Sequence, residues 1–182
     1  MQKTALFRLH TIVFLWGFTA ILGKLIHANA QVLVFYRMLF AAFFLYLFLR
    51  FFKRQSLRIS KRLFFQLSAI GIFMAFHWLC FFYSIKVRNV SIALSCLSLS
   101  TLFASILEPI IFKRKVDVSE VVMGIVMVGC IAMIFQTELR YKEGIFFGIL
   151  CALLGTVFSV LNGKMIGKTS SEKIIFAFFC CL

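Results

Sequence analysis

The stretch that decides the fold of this chain is LHTIVFLWGFTAILGKLIHA, residues 9–28. About 20 predominantly apolar residues are what an α-helix needs to cross a hydrocarbon core of about 30 Å. Because the backbone in lipid must satisfy its hydrogen bonds within the segment, we predict a transmembrane helix here. Working outward, the same pattern recurs between short polar loops at residues 32–49, 63–85, 91–112, 121–136 and 144–166, and a seventh span starts near Ile174.

The composition also indicates a membrane protein. Hydrophobic residues make up 63% of the 182 residues, charged residues only 14%, and there is one proline. A soluble domain has about a quarter of its residues charged, so most of this chain's surface must face something other than water. The alternating pattern of a membrane β-strand does not occur in the sequence. We therefore predict an all-α, polytopic membrane protein.

The net charge of +14 is distributed over the ends of the spans, which argues against a nucleic-acid surface. With the N-terminus in the cytoplasm, 14 Lys and Arg lie at inner ends and 4 in outer loops. This bias predicts a cytoplasmic N-terminus and insertion in the cytoplasmic membrane. The inner group is Lys3, Arg8, Arg50, Lys53, Arg54, Arg58, Lys61, Arg62, Lys113, Arg114, Lys115, Lys164, Lys168 and Lys173, and the outer group is Lys86, Arg88, Arg140 and Lys142.

An internal repeat relates the first and sixth spans. Residues 18–26, FTAILGKLI, align with residues 158–166, FSVLNGKMI, at a constant offset of 140. The two spans are an odd number of crossings apart, so the second copy is inverted in the membrane, as in many secondary transporters with a site near the midplane. We predict a first five-helix repeat over residues 1–143 and a partial second repeat over 144–182, truncated before its remaining helices.

Four stretches carry a family resemblance. They are LWGF at 15–18 with Gly23-Lys24, FYRMLFAA at 35–42, HWLCFFYSIK at 77–86 followed by VSIA at 90–93, and residues 97–129 with a basic loop and a Gly-containing helix. In this order they resemble EamA-type members of the drug/metabolite transporter superfamily. The resemblance implies ten helices in two five-helix repeats, which export small metabolites or drugs by alternating access.

The chain departs from that family's pattern in the fourth helix. Members usually have a proline midway, where this chain has Ser100-Thr101, and end the helix with Gly-Glu, where it has Lys113-Arg114. An acid and a proline stand instead at Glu108-Pro109. A coupling role at the family's usual positions is therefore not transferred to this chain.

Glu108 is the first candidate for function, since a charge in hydrocarbon costs about 2.5–3.5 kcal/mol on insertion scales. It lies four residues, about 6 Å, from the inner end of its span. In one interpretation it binds a proton or a cationic group of a substrate. In the other it reaches to the interface and pairs with Lys113 or a neighbouring basic loop.

Small and polar residues follow helical spacing along the same span, and such a face favours either close helix packing or a substrate-lining wall. The set is Cys96, Ser100, Ala104 and Glu108, with Thr101 and Ser105 alongside.

Two further cations lie within spans. Arg37 is about 8 Å inside the outer end of the second span, and Lys24 is one turn from the outer end of the first, near His27. Both either extend their long stems to the interface or form a cationic outer vestibule for an anionic or zwitterionic substrate.

Three aromatic residues complete the candidates. Trp16 and Trp78 lie within their spans rather than at the interfaces. Their rings either stack on a substrate or cation or pack between helices. His77 either titrates during function or is a hydrogen-bonded packing residue.

The sequence contains no catalytic, phosphate-loop, dinucleotide or metal-ligand motif. We therefore predict no enzyme activity, no cofactor, no metal and no nucleic-acid partner. The leading hypothesis is a permease of small organic solutes in a lipid bilayer, with proton coupling and a homodimer as further options. The alternative is a non-transporting membrane scaffold or a non-functional truncated remnant.

Overall fold

The computed structural model describes residues 2–54, 60–87, 89–136, 142–166 and 174. Every regular element along these ranges is a helix, and a π-helical turn at Phe48–Phe52 extends the second one. The helices are α1 (Gln2–Leu25), α2 (Ala30–Leu47), α3 (Lys61–Val87), α4 (Val90–Leu97), α5 (Ser100–Phe112), α6 (Val118–Gln136) and α7 (Lys142–Gly163).

The predicted class, an all-α polytopic membrane protein, is confirmed. Five stretches of the described chain are long and apolar enough to cross a membrane: Thr4–Leu25, Ala30–Phe52, Lys61–Val87, Val90–Phe112 and Lys142–Gly163. The apolar part of α6 is shorter, Val118–Met133. Apart from Ile174, the predicted seventh span lies outside the described residues, as do the predicted loop cations Arg58, Arg88, Arg140, Lys168 and Lys173.

The fourth predicted span is two helices rather than one. Between α4 and α5, the N–H of Leu99 donates to the Cys96 carbonyl at 3.1 Å, and the N–H of Thr101 donates to the Ser98 carbonyl at 3.3 Å. Both bonds span three residues, which tightens the turn. The hydroxyl groups of Ser98 and Thr101 also donate to carbonyls three residues back, and such side-chain bonds compete with the regular helix ladder.

Helix α7 packs between α3 on one side and α4 and α5 on the other. At its start, the Gly144 carbonyl accepts a hydrogen bond of 2.7 Å from the hydroxyl of Ser84, which is near the end of α3. At its end, Gly163 faces the ring of Phe112, the last residue of α5. Helix α7 is therefore antiparallel to α3 and parallel to α4 and α5.

Helices α1 and α2 cover one side of α3 and expose their outer faces. Large apolar side chains dominate those faces, for example Phe7, Phe14, Phe40 and Phe44, which are between 55% and 72% exposed. A surface of this kind suits contact with lipid tails or with further helices. Where α1 approaches α3, Gly23 is required, because a Cβ there would lie 2.4 Å from the Phe82 ring.

Candidate functional site

A cavity of about 580 Å³ lies between α1, α3, α4, α5 and α7. It is centred near the middle of the spans, beside the break between α4 and α5, where Trp16, His77, Ser100 and Thr156 all contribute to its wall. Most of the wall is apolar or aromatic. The lining residues are Val13, Trp16, Gly17, Thr19, Met74, His77, Trp78, Phe81, Leu94, Leu97, Ser100, Ala104, Glu108, Gly155, Thr156, Phe158, Ser159 and Val160.

Repeat-related positions face each other across this cavity. Trp16 and Thr19 of α1 line it, and so do Thr156 and Ser159 of α7, each 140 residues further along. The same offset relates the alignment of residues 18–26 with 158–166. The alignment pairs Ser159 with Thr19 and so carried a sequence signal for Ser159, whereas Thr156 lies just before the aligned residues; neither residue was predicted as part of a site.

His77 is held at the α3–α7 contact. Its Nδ1 lies 2.8 Å from the Cys151 carbonyl oxygen and 3.3 Å from the Cys151 sulfur. Because a carbonyl can only accept, Nδ1 carries the proton, and in the neutral ring Nε2 is the acceptor. The ring also stacks on Phe81 at a centroid distance of 6.4 Å. Gly155 permits this packing, since a Cβ there would lie 2.6 Å from Nδ1.

Arg37 lies behind the aromatic wall rather than in the cavity. Its guanidinium carbon is 3.8 Å from the centroid of the Trp78 ring and 5.7 Å from that of Phe82. Within the described chain, no carboxylate forms an ion pair with it. The ring of Trp78 is thus its main electrostatic partner, a cation–π contact that gains strength away from water.

Glu108 lies at the end of the cavity near the C-terminus of α5, which the charge pattern predicts to be the inner end, and it is paired. Arg114 donates from Nη2 to a Glu108 carboxylate oxygen at 2.8 Å and to Glu120 at 3.1 Å. Of the two partners that the sequence suggested, Lys113 or a neighbouring basic loop, the structure has the basic loop, through Arg114. The reason is local geometry: Lys113 has a left-handed backbone (φ 53°) at the end of α5, and this reverses the chain so that Arg114 points back.

Lys24 lies in a second, more open pocket of about 750 Å³, which His27 and Lys86 also line. This outer pocket is at the C-terminal end of α1, which the charge pattern predicts to be the outer end. Its ammonium group donates to the Ile85 carbonyl of α3 at 3.2 Å. In return, the ammonium group of Lys86 donates to the Ile26 carbonyl just beyond α1. Each lysine thus donates to a carbonyl group at the C-terminal end of the other lysine's helix. A positive charge is favourable there because the last carbonyl groups of a helix lack partners within the helix and carry partial negative charge.

The structure brings five predicted site residues to one cavity: Trp16, His77, Trp78, Ser100 and Glu108. The other three predicted residues lie elsewhere. Arg37 is behind Trp78, Lys24 is in the outer pocket, and Thr101 is exposed with its hydroxyl donating to Ser98.

The predicted small and polar face of the fourth span divides in the same way. Ser100, Ala104 and Glu108 line the cavity, whereas Cys96 packs against Gly148 of α7. Close helix packing therefore describes Cys96 on α4, and the substrate-lining interpretation stays a prediction for the three residues on α5.

The fold and the cavity together define a polytopic α-helical membrane protein with a largely apolar internal cavity near mid-depth. The profile of the EamA-like transporter family matches residues 4–136, which is most of the chain. The chain belongs to the EamA-like transporter family, a family of membrane transporters rather than of enzymes. The comparisons with curated proteins and with solved structures each gave no match.

Proposed function

We propose that this chain moves small organic solutes through the cavity by alternating access. The observation that carries the proposal is the cavity of about 580 Å³, which is of the size that binds drug-sized solutes. It lies beside the break between α4 and α5, and substrate sites of secondary transporters are typically formed by such discontinuous helices near the midplane. Family membership makes transport the expected activity.

The inverted repeat supports the same mechanism. We propose that residues 1–143 form one five-helix repeat and that residues 144–182 belong to a second, with the N-terminus in the cytoplasm and the chain in the cytoplasmic membrane. Support comes from Trp16 and Thr19, which face the cavity together with Thr156 and Ser159 at the 140-residue offset. Rocking of repeat-related helices around a fixed site would open it to either side in turn.

Glu108 is the proposed coupling residue. It lies at the inner end of the cavity, in contact with both the cavity and the basic loop after α5. An ionisable residue within a membrane span is by default a candidate for an ion or substrate pathway. Export as the direction of transport follows the family analogy. A homodimer stays a prediction.

Filling the cavity tests this function. Ala104→Phe inserts a ring at the wall of the cavity, whereas Ala69→Phe places the same ring on an exposed position of α3. Four cell lines are compared: one makes the wild-type protein, two make one variant each, and one makes none of these proteins. Metabolites are profiled inside the cells and in the medium.

We expect the wild-type protein and Ala69→Phe to change the concentration of at least one solute inside the cells and in the medium. With Ala104→Phe, that concentration should stay as it is in cells without the protein. The amount of each protein in the membrane fraction is the control for insertion. Equal transport by the two variants would show that solutes take another route.

A further inference from the structure

The side chain of Arg114 forms ion pairs with two carboxylates, one on the cavity wall and one outside it. The same nitrogen, Nη2, donates to Glu108 at 2.8 Å and to Glu120 at 3.1 Å. Glu108 lines the cavity, whereas Glu120 lies in the first turn of α6 and outside the cavity wall. All three side chains are 40–44% exposed, so protein atoms do not enclose the cluster and another cation can reach it.

This sharing makes Glu108 easy to release. If another cation takes the place of Arg114 at Glu108, the guanidinium keeps its bond to Glu120 and is not left without a counter-charge. The exchange therefore avoids the main penalty for breaking an ion pair, which is an unpaired charge. Glu120 acts as the alternative partner that makes the exchange inexpensive.

The cavity itself has the chemistry of a site for a positive group on an apolar body. Trp16, Phe81 and Phe158 present aromatic rings to it, and Glu108 is the residue with a formal charge among the described lining residues. Aromatic faces attract both apolar surface and cations. The Trp78 ring already contacts Arg37. The other rings attract neutral apolar groups as well as cations, so the Glu108 carboxylate is the group that distinguishes a cation from a neutral solute.

We propose that the cavity takes organic cations with an aromatic or apolar body and that Arg114 is a tethered competitor for their binding group, Glu108. Without such a solute, Arg114 bridges Glu108 and Glu120. When the cationic group of the solute reaches Glu108, Arg114 turns to Glu120 alone. The inference rests on the proposed function, since it assigns a solute class to the same cavity.

Both tryptophans of the chain, Trp16 and Trp78, line the cavity, so intrinsic fluorescence reports its occupation directly. The chain in lipid nanodiscs is titrated with three probes that share a benzyl group: benzyltrimethylammonium, benzyl alcohol and phenylacetate. Dissociation constants are compared between the wild type and Glu108→Gln, Arg114→Gln and Lys115→Gln. Lys115 is the matched control, since it is an exposed cation one residue along.

We expect the wild type to bind the ammonium probe most tightly of the three. Glu108→Gln should weaken that binding about tenfold or more, because a charge-assisted contact is lost, and leave benzyl alcohol unaffected. Arg114→Gln should tighten it about two- to fivefold, the strength of an exposed ion pair. Lys115→Gln should bind the ammonium probe as the wild type does. A fourth variant, Glu120→Gln, should weaken ammonium binding, because Arg114 then has no second carboxylate to turn to and stays on Glu108.

Unchanged ammonium binding in Glu108→Gln, or the same effect from Arg114→Gln and Lys115→Gln, would overturn the inference. Benzyl alcohol binding in all proteins would then still support the cavity as the solute site. If none of the probes changes the wild-type fluorescence, both the inference and the proposed site fail. Circular dichroism in the helical region checks that each variant is folded. If Glu108→Gln does not fold, Glu120→Gln still tests the inference, because Glu120 lies outside the cavity wall.

Discussion

The contact between α4 and α7 predicts a large effect from a single methyl group. Gly148 of α7 faces Cys96 of α4, and a Cβ at Gly148 would lie 2.6 Å from the Cys96 Cβ and 2.9 Å from its sulfur. Since ordinary contacts begin at 3.4 Å, Gly148→Ala forces the two helices apart by about 1 Å in a close-packed interior. Overpacking of this kind costs about 1–3 kcal/mol.

A matched substitution isolates this cost. Gly129 of α6 has open space around its Cβ position, so Gly129→Ala adds the same methyl group and the same gain in helix propensity without a clash. Relative to Gly129→Ala, we therefore expect Gly148→Ala to lower the free energy of unfolding by about 1–3 kcal/mol. The measurement is reversible unfolding in mixed micelles at increasing mole fraction of SDS, followed by tryptophan fluorescence. Equal unfolding midpoints for the two variants would refute the assigned contact between α4 and α7.

Three further predictions follow from the charged residues. Arg37→Gln removes the contact with the Trp78 ring and should cost about 0.5–2 kcal/mol in the same titration, and wild-type stability would contradict the cation–π contact. Lys24→Met and Lys86→Met each remove one bond between the same two chain segments, so the double variant should lose less stability than the sum of the single variants. Strict additivity in that double-mutant cycle would refute the coupling. Glu108→Gln should abolish solute transport driven by an imposed proton gradient in proteoliposomes, and transport that still responds to the gradient would place the coupling elsewhere.

The helices could be predicted from the sequence because lipid imposes one strong rule on long apolar segments. Predicted spans such as 63–85 and 144–166 differ from α3 and α7 by two or three residues at each end. The break after α4 could not be predicted in this way, since Ser98 and Leu99 keep right-handed backbone angles and no proline or glycine stands between them and the flanking helices. It depends on which carbonyl each hydroxyl and N–H selects.

The sequence predicted which residues lie near mid-depth in the membrane, but it predicted less well which side of a helix faces the cavity. Trp16, His77 and Trp78 lie in the middle of their spans, and all three face the cavity. Thr101 follows Ser100 directly, yet one residue turns a helix by about 100°, so its side chain is exposed outside the cavity. The partner of Glu108 depends on the left-handed backbone at the end of α5, which no sequence pattern in the chain indicated.

Among the described charged residues within or near the spans, the interaction partners distinguish the proposed functional residue, Glu108, from Lys24, Lys86 and Arg37. Lys24 and Lys86 each donate to a backbone carbonyl on the neighbouring helix end, and Arg37 lies against a ring that cannot leave it. Releasing any of these would strand a polar group in or near the hydrocarbon, which is costly. Glu108 differs because its partner, Arg114, has a second acid, Glu120, within hydrogen-bonding distance. Because Glu108 also lies on the wall of a solute-sized cavity, we propose it as the charge through which solute binding drives a change of state.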